Sequence, residues 1–327
     1  MTSLGRHSAW PASVAAVLIG GAAILAPRVA SDYLLAFAFQ LFMMIALAQA
    51  WNLISGMTGY VSFGHAAFFG IGAYAGALLA EAGFPWWLAI LKGALIALAV
   101  SLPLGLLTLR LRGPYFAIAM LGLNEVGRIL ATLWVALTGG GSGISLSAAR
   151  LPSLVANYYA MLAIAALSVA LAAAIHRSRL GLELRAIRED EAAAEMIGVN
   201  TTRDKLLAFM LSALIPGAVG ASYVFYTSYI NPPSAFSAAL NIQMIVMVMF
   251  GGSGTVLGPL IGAAVVMVLR ETLWAHFPQL HLAALGGLLW LVLFVLPGGL
   301  VSLLERRSLP RAGRSRIEQG EGPAARR

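Results

Sequence analysis

Two polar constellations interrupt an otherwise greasy chain, and each could do work in a membrane. The first runs from Arg177 to Lys205 and is the only long polar stretch in mid-chain. From Glu183 to Ile197 it is rich in Ala, Glu, Arg and Leu, all strong helix formers. Arg185 and Glu189 stand four apart and Arg188 and Glu191 three apart, so each pair can meet on a helix. Gly181 is placed to break the preceding helix, and Gly198 to end this one at a C′ position. The pattern predicts a short surface helix with an acidic face and an Ala192-Ala193-Ala194 patch that runs on to Met196 and Ile197. Such a rod is either a solvated connection between spans or a docking element. The second constellation is Asn124, Glu125 and Arg128, in the middle of an apolar tract. A charge at membrane depth is costly and must find a partner. The spacings put all three on one helix face. They read as an internal ion pair that locks helices together, or as the lining of a translocation path that meets a zwitterionic solute.

Other polar residues are sparser. Asn52, Ser62 and His65 flank or enter a glycine-rich tract. His65 reads as a hydrogen-bonded anchor of that bend, or as a proton-sensitive group on a pathway. Gln40 and Gln49 are placed to hydrogen-bond across helices. Arg270 and Glu271 are neighbours, so each is expected to pair with something else.

Several chemistries are excluded. Of the only lysines, Lys92 is followed by Gly93 and Lys205 by Leu206, so neither completes a phosphate-binding Gly-x-x-x-x-Gly-Lys-Ser/Thr loop. The five histidines are scattered and there is no cysteine, which argues against a metal site and removes thiolate and disulfide chemistry. Gly251-Gly-Ser-Gly-Thr lacks the spacing of a nucleophile elbow and reads as a turn between spans. No catalytic set and no cofactor site is expected.

The elements that must position these groups follow from composition. The chain is 60% hydrophobic and only 10% charged, whereas soluble domains carry roughly 25% charged residues. An all-α polytopic membrane protein is expected. Apolar tracts approaching about 20 residues, the length of a spanning helix, fall near Trp10–Ala26, Tyr33–Ile54, Val61–Ala80, Trp86–Leu109, Pro114–Leu137, Leu154–Ile175, Leu206–Tyr229, Phe236–Phe250, Val256–Trp274 and Leu282–Leu303. That makes about ten spans. The glycines of Val61–Ala80 also suit a broken or re-entrant helix. Gly70, Gly72 and Gly76, and Gly254, Gly258 and Gly262, are spaced for close helix packing.

Basic residues fix the expected orientation. Arg6, Arg110, Arg112, the 177–205 loop and the tail from Arg306 to Arg327 fall on one side; Arg28 and Arg150 fall on the other. The crowded side is cytoplasmic, with both termini inside. The net charge of +8 is thereby explained, and no nucleic-acid partner is called for. Residues 1–305 are expected to form one membrane domain, and 306–327 a basic, disordered tail. Cleavage of the first tract as a signal peptide is not expected, because no small-x-small site precedes Ser31.

Four blocks carry a family resemblance: the run from Asn52 to Tyr74; Leu111-Arg-Gly-Pro-Tyr-Phe-Ala-Ile; Leu184 to Asn200; and Gly251-Gly-Ser-Gly-Thr-Val-Leu-Gly-Pro. In order and content they resemble the branched-chain amino acid (LivM-type) permeases of ABC importers. The resemblance implies a bacterial inner-membrane subunit without ATPase activity of its own. It implies as partners a second homologous permease, two cytosolic ATPase subunits and a periplasmic solute-binding protein. Glu189, Asp190, Glu191, Ala192, Ala193, Ala194, Glu195 and Gly198, with Arg185 and Arg188 before them, would then form the coupling helix that sits in an ATPase groove. Many importers carry Leu-Pro after the glycine of this loop; here Gly198 is followed by Val-Asn-Thr-Thr, as in the branched-chain subgroup. Relatives carrying urea, amides or aromatic acids leave the cargo open. An ion-coupled secondary transporter is the rival, and it would need mid-membrane carboxylates, of which Glu125 is the one deep candidate.

Overall fold

A computed structural model describes residues 21, 23–28, 30–276, 286–287 and 299–301. Helices dominate: α1 (Asp32–Trp51), α2 (His65–Glu81), α3 (Trp86–Thr108), α4 (Pro114–Leu133), α5 (Val135–Thr138), α6 (Leu154–Arg177), α7 (Arg179–Glu189), α8 (Glu191–Met196), α9 (Thr201–Thr227), α10 (Pro232–Ala235), α11 (Ala238–Gly251) and α12 (Leu257–His276). α1 runs on into a π-helical turn over Asn52–Gly56. The only sheet among the described residues is a two-residue ribbon, in which β1 (Ile144–Ser145) pairs antiparallel with β2 (Tyr229–Ile230), Ile144 opposite Ile230.

Six stretches among the described residues are long and apolar enough to cross a membrane: Asp32–Gly56, Trp86–Thr108, Pro114–Leu133, Leu154–Arg177, Thr201–Thr227 and Pro232–Gly251. The protein is thus an all-α polytopic membrane protein. α2 and α12 stand where the third and ninth spans are expected. Most of Trp10–Ala26 and Leu282–Leu303, and the whole of 306–327, lie outside the described residues. The glycine-rich third tract is not broken: α2 runs without interruption from His65 to Glu81, its start set back by the irregular segment 57–64.

α9 is the central element and packs on α1, α2, α3 and α6. Small residues make this possible. A Cβ on Gly72 would fall onto the backbone of Gly217, and one on Gly220 onto the carbonyl oxygen of Phe69. Ala221 lies against Gly76 and Gly93. In lipid no hydrophobic drive pulls helices together, so close backbone approach supplies the van der Waals attraction. Gly258 and Gly262 do the same between α12 and α11. Gly254 does not share their face: it lies in the turn before α12 at φ +80°, a conformation that suits glycine.

The polar segment also departs from a single rod. The chain breaks at Ser178 (ψ 171°), not at Gly181, which lies inside α7. It breaks again at Asp190 (φ −159°, ψ 113°), which separates α7 from α8. Arg188 and Glu191 are therefore on different helices and do not pair.

Candidate functional site

α8 is short, and its ends explain why it forms. The Asp190 carboxylate accepts from the backbone N–H of Ala192 (2.9 Å) and Ala193 (3.1 Å), which caps the orphan donors of the first turn. At the other end Gly198 takes φ +89°. Val199 N–H donates to Ala194 O (3.1 Å) and Gly198 N–H to Glu195 O (3.0 Å), the paired bonds of a glycine C-cap. Gly198 thus does end the helix, as its position in the sequence suggests.

One side of α8 is anchored and the other is bare. Ala194 is buried, while Ala192, Ala193, Glu195 and Gly198 are exposed. Met196 and Ile197 are 89% and 77% exposed, a large apolar pair at a polar end of the bundle. The inward side is held by charge. Lys205, in the first turns of α9, donates to Glu191 Oε1 at 2.6 Å and to the Tyr60 hydroxyl at 3.2 Å. Tyr60 donates in turn to the second oxygen of Glu191. Arg112, before α4, lies 3.8 Å from the same carboxylate. Burial pushes the Glu191 carboxyl up, but the Lys205 and Tyr60 hydrogen bonds and the Lys205 charge outweigh it and hold it below the usual carboxylate value. Burial, then the bond to Glu191, raises the Tyr60 phenol. Thr201 adds a further tie, donating to Glu195 at 2.7 Å.

α7 reaches the membrane core by another route. Arg188 Nη1 donates to Gly56 O at 2.6 Å, at the end of the π turn. Arg185 instead turns back on its own helix, its Nε donating to Gly181 O at 3.1 Å. Glu189 is exposed. In the π turn, Asn52 is wholly buried and pairs like a peptide with the turn before α12. It accepts from Gly254 N–H and donates to Thr255 O, both at 2.8 Å. Gln49 donates to Val256 O at 2.7 Å. A polar chain therefore runs from α7 through Gly56 and Asn52 to the α11–α12 turn.

Ser62 and His65 are also enclosed. Trp51 Nε1 donates to Ser62 O (2.8 Å), Ser62 N–H donates to Ser55 Oγ (3.1 Å), and His65 Nδ1 lies 3.1 Å from Ser62 Oγ. Asn241 secures the start of α2, accepting from Ala66 N–H (2.9 Å) and donating to Phe63 O (2.7 Å).

The α4 constellation divides. Asn124 is buried and donates to Phe236 O at 2.9 Å. Glu125 and Arg128 do pair, Arg128 Nε donating to Glu125 Oε2 at 2.9 Å, but at the surface, with 50% of the Glu125 and 39% of the Arg128 side chain exposed. The three residues do not share one environment. Around the pair, α4 presents Tyr115, Ile118, Leu121, Val126 and Leu133, all exposed.

The arrangement is a greasy helical bundle with one polar platform at an end and an open, charge-bearing face along α4, that of a multi-pass membrane protein. The family model described as branched-chain amino acid transport system / permease component matches residues 33–296, and the chain belongs to that family. It is 30% identical over 305 residues to the high-affinity branched-chain amino acid transport system permease protein LivM of Salmonella typhimurium, covering 84% of this chain and 71% of that one. It is 24% identical over 304 residues to the permease protein LivH of the corresponding Escherichia coli system, covering 83% of this chain and 97% of that one. The fructose import permease protein FrcC of Rhizobium meliloti is 32% identical over 100 residues, 29% of this chain and 27% of that one. No solved structure matches the chain significantly.

Sequence reasoning missed Tyr60, Arg112 and Asn241 as members of these networks, and gave Lys205 no partner. Lys205 carried a signal: it is one of two lysines in a chain of 327 residues, placed at the start of an apolar span.

Proposed function

We propose that this chain is the membrane-spanning permease subunit of an ATP-binding-cassette importer, carrying branched-chain or related hydrophobic amino acids across a bacterial inner membrane. Residues 1–305 form its permease domain and 306–327 a basic tail, with α7, α8 and both termini on the cytoplasmic side. ATP is hydrolysed on two separate cytosolic subunits, a second homologous permease completes the pore, and a periplasmic binding protein delivers the solute.

The observation that carries this reading is α8: capped at both ends, anchored inward through Glu191 and Lys205, and bare outward at Met196 and Ile197. A merely solvated connection has no use for such an exposed apolar pair. In this reading the pair and the Ala192–Ala193 surface enter an ATPase groove. Closure of the ATPases moves α8, and the Arg188–Gly56 and Asn52–Thr255 bonds pass the displacement to α1 and the α11–α12 turn. The two states must bind the closed ATPases with different free energy, since a ligand shifts only what it distinguishes. Glu125 and Arg128 face the path along the open side of α4, while Asn52, Ser62, His65 and Asn124 hold its walls. With Arg128 paired to it, Glu125 is poorly suited to ion coupling, which disfavours a secondary transporter.

Uptake of labelled leucine into vesicles holding the full importer tests the proposal, with urea, acetamide and phenylalanine as competitors. ATP-dependent uptake that disappears when the ATPase subunits are omitted is expected. Uphill uptake by this polypeptide alone would overturn it, and inhibition by urea but not by leucine would reassign the cargo.

A further inference from the structure

At the end of the bundle remote from α7 and α8, a cavity of about 290 Å³ opens between α1, α9, α11 and α12. Its polar side is made by Arg270, Gln40, Gln243 and Tyr226; its apolar wall by Met43, Met44 and Phe69. This volume is at the lower end of the ~300–1,000 Å³ typical of small-molecule sites. It admits a small solute and not a peptide.

Three features define what would fit. Among the described residues Arg270 is the one charged side chain on the cavity, and no carboxylate pairs with it. Its neighbour Glu271 accepts a hydrogen bond from Tyr33 instead. A guanidinium does not shed its proton, so a half-buried one in a greasy bundle calls for an anion. Gln243 supplies the opposite demand: its Oε1 is buried without a hydrogen-bond partner, an acceptor in want of a donor. Tyr226 is held in place by stacking on Phe39, with ring centroids 4.2 Å apart, so the cavity wall is preformed.

A simple anion would satisfy Arg270 and leave Gln243 unpaired; an amine would do the reverse. We propose that the cavity binds an aliphatic α-amino acid as its zwitterion, with the carboxylate on Arg270, the ammonium donating to Gln243 and the side chain against Met43, Met44 and Phe69. This rests on the amino acid permease reading above and adds to it a solute site within the permease itself, on the side away from the coupling platform.

The test is equilibrium binding of labelled leucine to the purified full-length chain in nanodiscs, where no transport is needed. Saturable binding at millimolar leucine is expected, with leucinamide (no carboxylate) and 4-methylpentanoate (no ammonium) competing poorly. Arg270→Gln should weaken binding about ten- to hundredfold, the loss of one charge-assisted contact, and Gln243→Leu about tenfold. Arg270→Lys should recover part of the loss, because it restores the charge without the fork. Should Arg270→Gln fail to fold, the competition on the parent chain decides. Absence of saturable binding, equal competition by leucinamide, or unchanged affinity in a folded Arg270→Gln variant each overturns the proposal. If the importer takes up leucine while that variant binds normally, this site falls and the permease reading stands. If Arg270-dependent binding persists where the importer takes up no leucine, the site stands and the cargo reading falls.

Discussion

Replacing Lys205 by Met removes the ammonium that holds α8 to the bundle. The two side chains of the pair are 4% and 14% exposed and meet at 2.6 Å, so this is a desolvated ion pair and not a surface one. In Lys205→Met, Glu191 keeps the Tyr60 hydroxyl, and Arg112 at 3.8 Å, whose side chain is 66% exposed and well screened by solvent. Stranding one member of a buried pair costs about 3–5 kcal/mol. The remaining hydroxyl and the partial exposure of Glu191 bring the expected cost to about 2–3 kcal/mol. The apparent unfolding midpoint in detergent, followed by tryptophan fluorescence, should fall by roughly 5 °C or more. The double variant Lys205→Met with Glu191→Leu buries no lone charge and should recover most of this, a coupling of about 1–3 kcal/mol. ATPase activity of the assembled importer should become independent of solute in the single variant. A midpoint within a degree of the parent, or a double variant as unstable as the sum of the two singles, would refute the argument that charge fixes α8.

Other substitutions probe the rest of the path. Asn52→Ala leaves Gly254 N–H and Thr255 O unpaired in the interior, and should lower stability by about 1–3 kcal/mol for each group so stranded, read by the same thermal assay. Gly72→Val drives a side chain into the Gly217 backbone and should abolish accumulation of the folded chain in membranes, measured by detergent-extractable yield. Ala193→Asp lies on the exposed side of α8, so insertion should be unchanged while ATP-driven uptake is lost; normal uptake and normal ATPase stimulation would remove the docking role. Because the Glu191 carboxyl is depressed in the folded chain, its contribution to stability is full above its ordinary value of 4.5 and drains away as pH falls through the folded value. The stability gap between the parent and Glu191→Gln should therefore narrow below about pH 4.5 and stay constant above it.

The apolar tracts were legible because spanning length and hydrophobicity are local properties of the chain. The middle eight of the ten expected tracts each coincide with a helix, while the outer two fall largely outside the described residues. Gly198 could be read as a helix stop because a left-handed cap is a one-residue demand. The break at Asp190 was missed because alanine- and glutamate-rich sequence favours an unbroken helix, whereas an aspartate that caps the next segment competes for the same backbone. Tyr60 stands 131 residues from Glu191 and 145 from Lys205, so no periodicity could announce the network. Asn124, Glu125 and Arg128 looked alike by spacing. Only packing, with Asn124 bonded to Phe236 and the Glu125 and Arg128 side chains left partly exposed, separated them.

The glycine contacts that mesh α2, α3 and α9 have a mechanical corollary. Where backbone touches backbone, no side chain remains to change rotamer and absorb a slide, and close-packed interiors yield little to strain. These three helices must travel as one rigid block. Any rearrangement of this bundle therefore has to leave that block intact, and a variant that softened it should leak instead of opening faster.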